Sequence, residues 1–209
     1  MKGGEDHYQQ DHCAGGPDKS TVDLWSDHAP GHGLNGTYSA FLYAGKAVEL
    51  LSDFGARAKA NASARFFLYL PCESSQLPAP RPLLTPDGAG HDVHAPLQSP
   101  AEFMNPSHFE DAFTPRLTLN GMATALDQGI ENVTNTIKAA GLWDDCLIVW
   151  SADNGGWLRS WGSSNWPLRG GKVSDFEGGV RAAAWMGGGY VPAPIRGTRF
   201  KGLISVADW

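Results

Sequence analysis

The sequence predicts an α/β fold: a mainly parallel sheet with helices on both faces. Three observations predict it. Phe66-Phe67-Leu68-Tyr69-Leu70 and Cys146-Leu147-Ile148-Val149-Trp150 are short, continuous apolar runs rather than alternating ones, the pattern of strands covered on both sides. Between them, Leu119, Met122, Leu126, Ile130, Val133 and Ile137 recur at helical spacing and give the strongest amphipathic stripe in the chain. Strand, helix, strand in that order is the grammar of a parallel sheet.

The elements follow in order. Residues 1–36 are polar and glycine-rich and read as loop. Glu5-Asp6-His7 and Asp11-His12-Cys13 carry metal-ligand residue types, but composition favours a solvated loop. A helix is predicted from Ser39 to Phe54, with Phe41, Ala44, Val48 and Leu51 on one face. The strand Phe66–Leu70 follows. Residues 71–92, PCESSQLPAPRPLLTPDGAGHD, hold too much proline for a helix or a sheet interior and read as a disordered insertion. Thr114-Pro115 starts the second helix, with threonine as cap and proline in the first turn, and Gly141 ends it. Ala182-Ala183-Ala184-Trp185-Met186, closed by three glycines, is a third strand. No internal repeat is visible.

Composition sets the outer limits. The chain has 209 residues, enough for one domain with a core, and is 42% hydrophobic and 18% charged. A net charge of -6 argues against a nucleic-acid partner, which demands a basic face. No apolar run reaches the length of about 18 residues that a membrane span requires. The start, MKGGEDHYQQ, has no apolar core and is no signal peptide. Yet Asn35-Gly-Thr37, Asn61-Ala-Ser63 and Asn132-Val-Thr134 are glycosylation sequons, which point to the secretory route. The cysteines Cys13, Cys72 and Cys146 are odd in number, so at least one thiol is unpaired within the chain.

Chemistry in such folds gathers beyond the carboxyl ends of the strands. Two segments fall there: Asp153-Asn154-Gly155-Gly156 after one strand, and His91–Leu97 after the other. Asp153 and Asn154 offer hard oxygen donors of the kind that hold Ca²⁺ or Mg²⁺. Lys172, set between Gly171 and Val173, brings a compact positive charge for an anionic oxygen. His94 brings a hydrogen-bond donor or a proton for a leaving oxygen. Together they suit a sulfate or phosphate ester. Singly each has a plainer reading: Asp-Asn-Gly-Gly as a turn, His94 as structural, Lys172 as solvated, Trp157, Trp161 and Trp166 as packing rather than sugar-stacking.

The order of the motifs narrows this. Asp153-Asn154-Gly155-Gly156, then Asn165-Trp166-Pro167-Leu168-Arg169-Gly170-Gly171-Lys172, then Glu177-Gly178-Gly179-Val180-Arg181 resembles the sulfatase family, within it the arylsulfatase B-like (N-acetylgalactosamine-4-sulfatase-like) branch. Glu5-Asp6-His7-Tyr8, Phe67–Leu70, His94-Ala95-Pro96-Leu97-Gln98, the stretch from Val133 to Trp143 and Ile204–Trp209 echo the same branch. The resemblance implies an alkaline-phosphatase/sulfatase-like catalytic domain, present in part over 1–209, and a sulfuric ester hydrolase acting on a sulfated glycan or aryl sulfate ester. It implies Asp153 and Asn154 as calcium ligands, Lys172 and His94 as holders of the sulfate, His94 also as the acid for the leaving alcohol, Glu177 and Arg181 as loop scaffold, glycosylation at Asn132, and a lysosomal or secreted location.

The resemblance also implies a formylglycine nucleophile, made from Cys in Cys-x-Pro/Ala-x-Arg. Cys13 continues Ala-Gly-Gly-Pro, Cys72 continues Glu-Ser-Ser-Gln and Cys146 continues Leu-Ile-Val-Trp, so none is the precursor. The family's early Asp-Asp metal pair, its Gly-Lys-Trp-His segment and a second cysteine in the loop after Cys13 are absent as well. The missing nucleophile, metal pair and Gly-Lys-Trp-His segment all precede the matched region. The expectation is therefore an N-terminal truncation, with a further loss beyond Trp209, and a fragment whose hydrolysis is doubtful. The missing second cysteine puts the family's disulfide in doubt. Two other functions stay open: a phosphoesterase of the wider fold, which wants a Ser or Thr nucleophile and zinc ligands, and a glycoprotein that binds sulfated sugar without turnover.

Overall fold

The computed structural model describes residues 7–8, 10, 24–61, 63–72, 83–84, 90–91, 97–104, 114–158 and 162–209. In chain order the elements are β1 (Trp25–Ser26), β2 (Ala29–Pro30), α1 (Ser39–Ala60), β3 (Leu83–Leu84), β4 (Gly90–His91), α2 (Thr114–Ala139), β5 (Ile148–Ser151), α3 (Glu177–Val180) and β6 (Ala184–Gly187). Single 3-10 turns occur at Ala101–Phe103, Ala193–Ile195 and Val206–Asp208.

The frame is the pair α1 and α2. The seam between them combines part of the periodic apolar stripes (Ala44, Leu51, Met122 and Ile137) with small residues that set the closest approach. On α1 the buried positions are Ser39, Ala40, Ala44, Ala47, Leu51 and Gly55. On α2 they are Gly121, Met122, Ala125, Gly129 and Ile137. A Cβ on Gly129 would lie 3.2 Å from the Cβ of Ala44, and one on Gly55 would lie 2.7 Å from that of Ala140. These contacts pair positions in the same order along both helices, so the helices run parallel. Parallel neighbours require the chain to return a helix length between them, the crossover habit of α/β folds.

Helix α2 ends on a Schellman motif. Gly141 takes φ +72°, its N–H donates to Lys138 C=O at 3.0 Å, and Leu142 N–H reaches back to Ile137 C=O at 3.0 Å. Leu142 then packs on the cluster of Leu51, Ile137 and Cys146, beside Leu68, Val133, Trp143 and Ile148. A second cluster joins Tyr38, Ala40 and Ala125 to Tyr8, Phe41 and Phe103.

The sheet departs from expectation. All three ladders among the described residues are two-stranded and antiparallel, so the mainly parallel sheet is not formed there. Strand β5 pairs with β6, Trp150 opposite Trp185, with the rings stacked at 6.3 Å. Phe66–Leu70 joins no ladder; Leu68 turns inward while Phe67 is 91% exposed. Among the described residues both long helices pack into the one cluster that holds Leu68 and Ile148.

Within the proline-rich 71–92 span, residues 83–84 pair with 90–91 in a small two-stranded ladder, which has no interior strand for proline to disrupt. One loop reading changes. His7 is only 1% exposed rather than solvated. Its N–H donates to Gln98 Oε1 at 2.8 Å, its Nδ1 lies 3.0 Å from Ser39 Oγ, and Ser39 N–H donates to its C=O at 2.8 Å. His7 is thereby pinned to the head of α1. Among the described residues no helix is long and apolar enough to cross a membrane.

Candidate functional site

The chain leaves β5 at Ser151 and turns at once through Asp153-Asn154-Gly155-Gly156. Ala152 N–H still donates to Ala183 C=O at 2.9 Å, so the turn is launched from the ladder itself. From there two distant segments close onto it. Gly155 N–H donates to Gly179 C=O at 2.8 Å, and Lys172 N–H donates to Gly156 C=O at 3.1 Å. Gly178 N–H donates to Arg169 C=O at 2.7 Å and completes the weave.

Glycine is what lets these strands of loop approach. A Cβ on Gly155 would overlap Gly178 C=O, and one on Gly178 would overlap Gly170 C=O. No side chain of any size fits between backbones at that separation.

Asn165 is the fastener. Its Oδ1 accepts Gly156 N–H at 2.9 Å; its Nδ2 donates to Gly156 C=O at 2.8 Å and to Gly170 C=O at 3.1 Å. The carboxamide thus satisfies backbone groups that a missing neighbour strand would otherwise leave open. Ser174 does the same for Gly171: its Oγ accepts the N–H at 3.1 Å and donates to the C=O at 2.8 Å. Reading the sequence did not single out either residue. The signal for Asn165 is its place heading the run into Lys172; Ser174 carries none.

Asp153 is exposed and Asn154 half-buried, its Nδ2 donating to Gly155 C=O at 2.9 Å, which leaves Oδ1 as an acceptor. Lys172 is half-buried and its backbone lies against the same turn. The structure therefore brings the Asp153-Asn154 turn and the Lys172 segment together. His94 lies outside the described residues, as do Cys13 and Trp161. Glu177 and Arg181 pair with each other at 3.7 Å on the surface, a contact of small energetic weight. The buried backbones of Gly178 and Gly179 between them, rather than that ion pair, hold the loop. Arg169 stacks its guanidinium 3.9 Å from the Phe176 ring centroid.

The aromatic residues split. Trp157 is half-buried, with an enclosed Nε1 that has no hydrogen-bond partner among the described residues. Trp166 is 87% exposed. Neither Cys72 nor Cys146 is paired; burial pushes both thiols up from their ordinary range, away from the reactive thiolate.

The donor set has the chemistry of a hard cation's ligands, oxygen from Asp153 and oxygen from Asn154, but two donors fall short of the roughly six to eight that Ca²⁺ takes. Among the described residues no group of three or more His, Cys, Asp or Glu forms a metal cluster. These residues do not by themselves fit a complete calcium site.

No family model matches the chain. Across its whole length it is 31% identical to Arylsulfatase J of Mus musculus, over 214 aligned residues that make up 30% of that protein. Its structure is similar to that of Ps i-CgsB, solved free and in complex with k-i-k-neocarrahexaose. The TM-score is 0.62 against both, with 25% and 26% identity, and the match covers 89% of this chain and 37% of that one. The chain therefore spans about a third of the length of the proteins it matches.

Proposed function

We propose, from the premise that this chain is of the sulfatase family, that it forms the anion-holding part of a sulfuric ester hydrolase acting on sulfated glycan. The premise is supported by the likeness to Arylsulfatase J and to Ps i-CgsB. One observation carries the functional reading: the bond from Lys172 N–H to Gly156 C=O, which sets an ammonium-bearing residue beside a turn rich in oxygen donors. Asp153 and Asn154 would offer two of the oxygen donors of a cation site, and Lys172 would neutralise an anionic ester oxygen. Its protonated nitrogen favours the doubly oxygenated anionic group over a neutral ester. His94 completes the reading as the donor to the leaving alcohol. The branch, in this reading, is the arylsulfatase B-like one, and the location lysosomal or secreted. Ps i-CgsB was solved with an oligosaccharide, which favours a sugar ligand here too.

No cysteine of this chain stands in a formylglycine context. The chain alone is therefore proposed to bind and not to turn over. That same fact favours the second reading, a sulfated-sugar-binding glycoprotein, with the exposed Trp166 as a surface for a sugar ring.

The test uses the purified chain with an aryl sulfate, an aryl phosphate and a sulfated glycosaminoglycan, with and without Ca²⁺. The expected result is no release of sulfate, and glycosaminoglycan binding that Lys172→Gln weakens by roughly tenfold, the order of a charge-assisted contact. Release of sulfate overturns the claim of inactivity. Release of phosphate moves the chain to the phosphoesterases. Binding unaffected by Lys172→Gln removes Lys172 from the site.

A further inference from the structure

The three sequons are not equivalent once folded. Asn35, Asn61 and Asn132 are all exposed. Asn35 sits in a turn closed by Thr37 N–H on Leu34 C=O at 3.2 Å, with Gly36 N–H held by Tyr8 C=O at 2.8 Å. Asn132 lies inside α2, where its C=O accepts the Thr136 hydroxyl at 2.8 Å and Thr134 is half-buried. Asn61 is different. It follows the last residue of α1 with an extended backbone, φ −142° and ψ 96°. Its Oδ1 accepts Ser63 N–H at 3.0 Å, the Asx turn. Its Nδ2 makes no hydrogen bond among the described residues, and Arg57, Lys59, Ala60, Ser63 and Arg65 around it in sequence are all exposed.

We propose that Asn61 is an N-glycosylation site that, unlike Asn132, the folded chain presents ready for transfer. The turn uses the carboxamide oxygen and leaves the nitrogen directed to an incoming donor. Nδ2 loses one proton and bonds to the anomeric carbon of a polyprenyl-pyrophosphate-linked oligosaccharide, and the lipid pyrophosphate leaves with the bonding pair. Because the turn spans only three residues, it is available to the nascent chain and survives folding. In Asn132 the same geometry is lost once α2 forms. The inference is independent of the sulfatase reading; it concerns passage through a lumen where sugar is transferred.

The experiment is translation of the whole chain, behind a cleavable leader and with a control sequon appended after Trp209, in the presence of endoplasmic-reticulum microsomes. The control glycan marks entry. Asn35→Gln/Asn132→Gln is expected to carry two glycans, and to drop to the control alone when Asn61→Gln or Ser63→Ala is added. In a second arm, folded unmodified chain is given to the oligosaccharyltransferase, and Asn61 is expected to be modified roughly tenfold faster than Asn132, since modification of Asn132 requires α2 to open locally. An Asn35→Gln/Asn132→Gln chain bearing only the control glycan overturns the proposal. Equal rates at Asn61 and Asn132 in the folded chain overturn its structural basis.

Discussion

The carboxamide of Asn165 pairs with both backbone groups of Gly156, accepting the N–H at 2.9 Å and donating to the C=O at 2.8 Å. Asn165→Ala leaves Gly156 N–H and Gly170 C=O without their partner, while Gly156 C=O keeps the Lys172 N–H. It should cost about 2 kcal/mol, more than one ordinary hydrogen bond because two backbone groups are orphaned together. Asn165→Asp should be no rescue, since it keeps the acceptor and loses the donor. Denaturant midpoints give the magnitude. Faster amide exchange at Gly156 and Lys172, with α2 unchanged, would localise it.

Gly178→Ala should be worse. Its Cβ would overlap Gly170 C=O, a backbone atom that cannot swing aside. The expected cost is about 3 kcal/mol or loss of the closed loop altogether. Gly33→Ala, where a Cβ meets nothing within 4 Å, is the control that carries only the strain of φ +75°. Thermal melts should rank Gly178→Ala well below it.

On the helix pair, one substitution should change sign with position. Gly45→Ala in α1 meets nothing within 4 Å and should stabilise by about 0.5–1 kcal/mol through helix propensity. Gly129→Ala in α2 puts its Cβ 3.2 Å from that of Ala44 and should destabilise, because the helices must part. Equal melting shifts for the two would refute the close approach at small residues.

Val173 takes φ +68° while 84% exposed, a conformation that a β-branched residue seldom adopts. Val173→Gly removes that strain and no packing. A gain of about 1 kcal/mol is expected, reduced somewhat by the greater freedom of glycine when unfolded. A lower midpoint would mean that the left-handed backbone beside Lys172 is not strained.

Alkaline pH should unfold the protein through Tyr38. Burial first, and Tyr8 beside it second, push its phenol well above its ordinary value. The folded chain then keeps a proton that the unfolded chain releases above a pH of about 10. This contribution is complete below that pH and declines as pH rises beyond it. Tyr38→Phe should flatten the alkaline limb of a stability profile, while losing about 1 kcal/mol at every lower pH with its bond to Gln98 C=O. An unchanged alkaline limb would exclude Tyr38 as its cause.

Sequence alone determined what depends on short range. Both long helices were legible, α2 to within a residue of its start and to the glycine that caps it, because periodicity and capping are local. So were the strands at Ile148–Ser151 and Ala184–Gly187, within a residue or two. The order of the Asp153, Asn165 and Glu177 motifs also lay open to reading. Tertiary structure decided everything that depends on which backbone meets which. It set β5 antiparallel to β6, left Phe67 in solvent, buried His7, put alanine and glycine at the closest approach of α1 and α2, and gave Asn165 its bonds to Gly156. A pattern of apolar residues records how much a segment must bury, but a glycine contact or a side-chain-to-backbone bond has no periodic trace, since it exists only once two distant pieces of chain have come within 3 Å or so of each other.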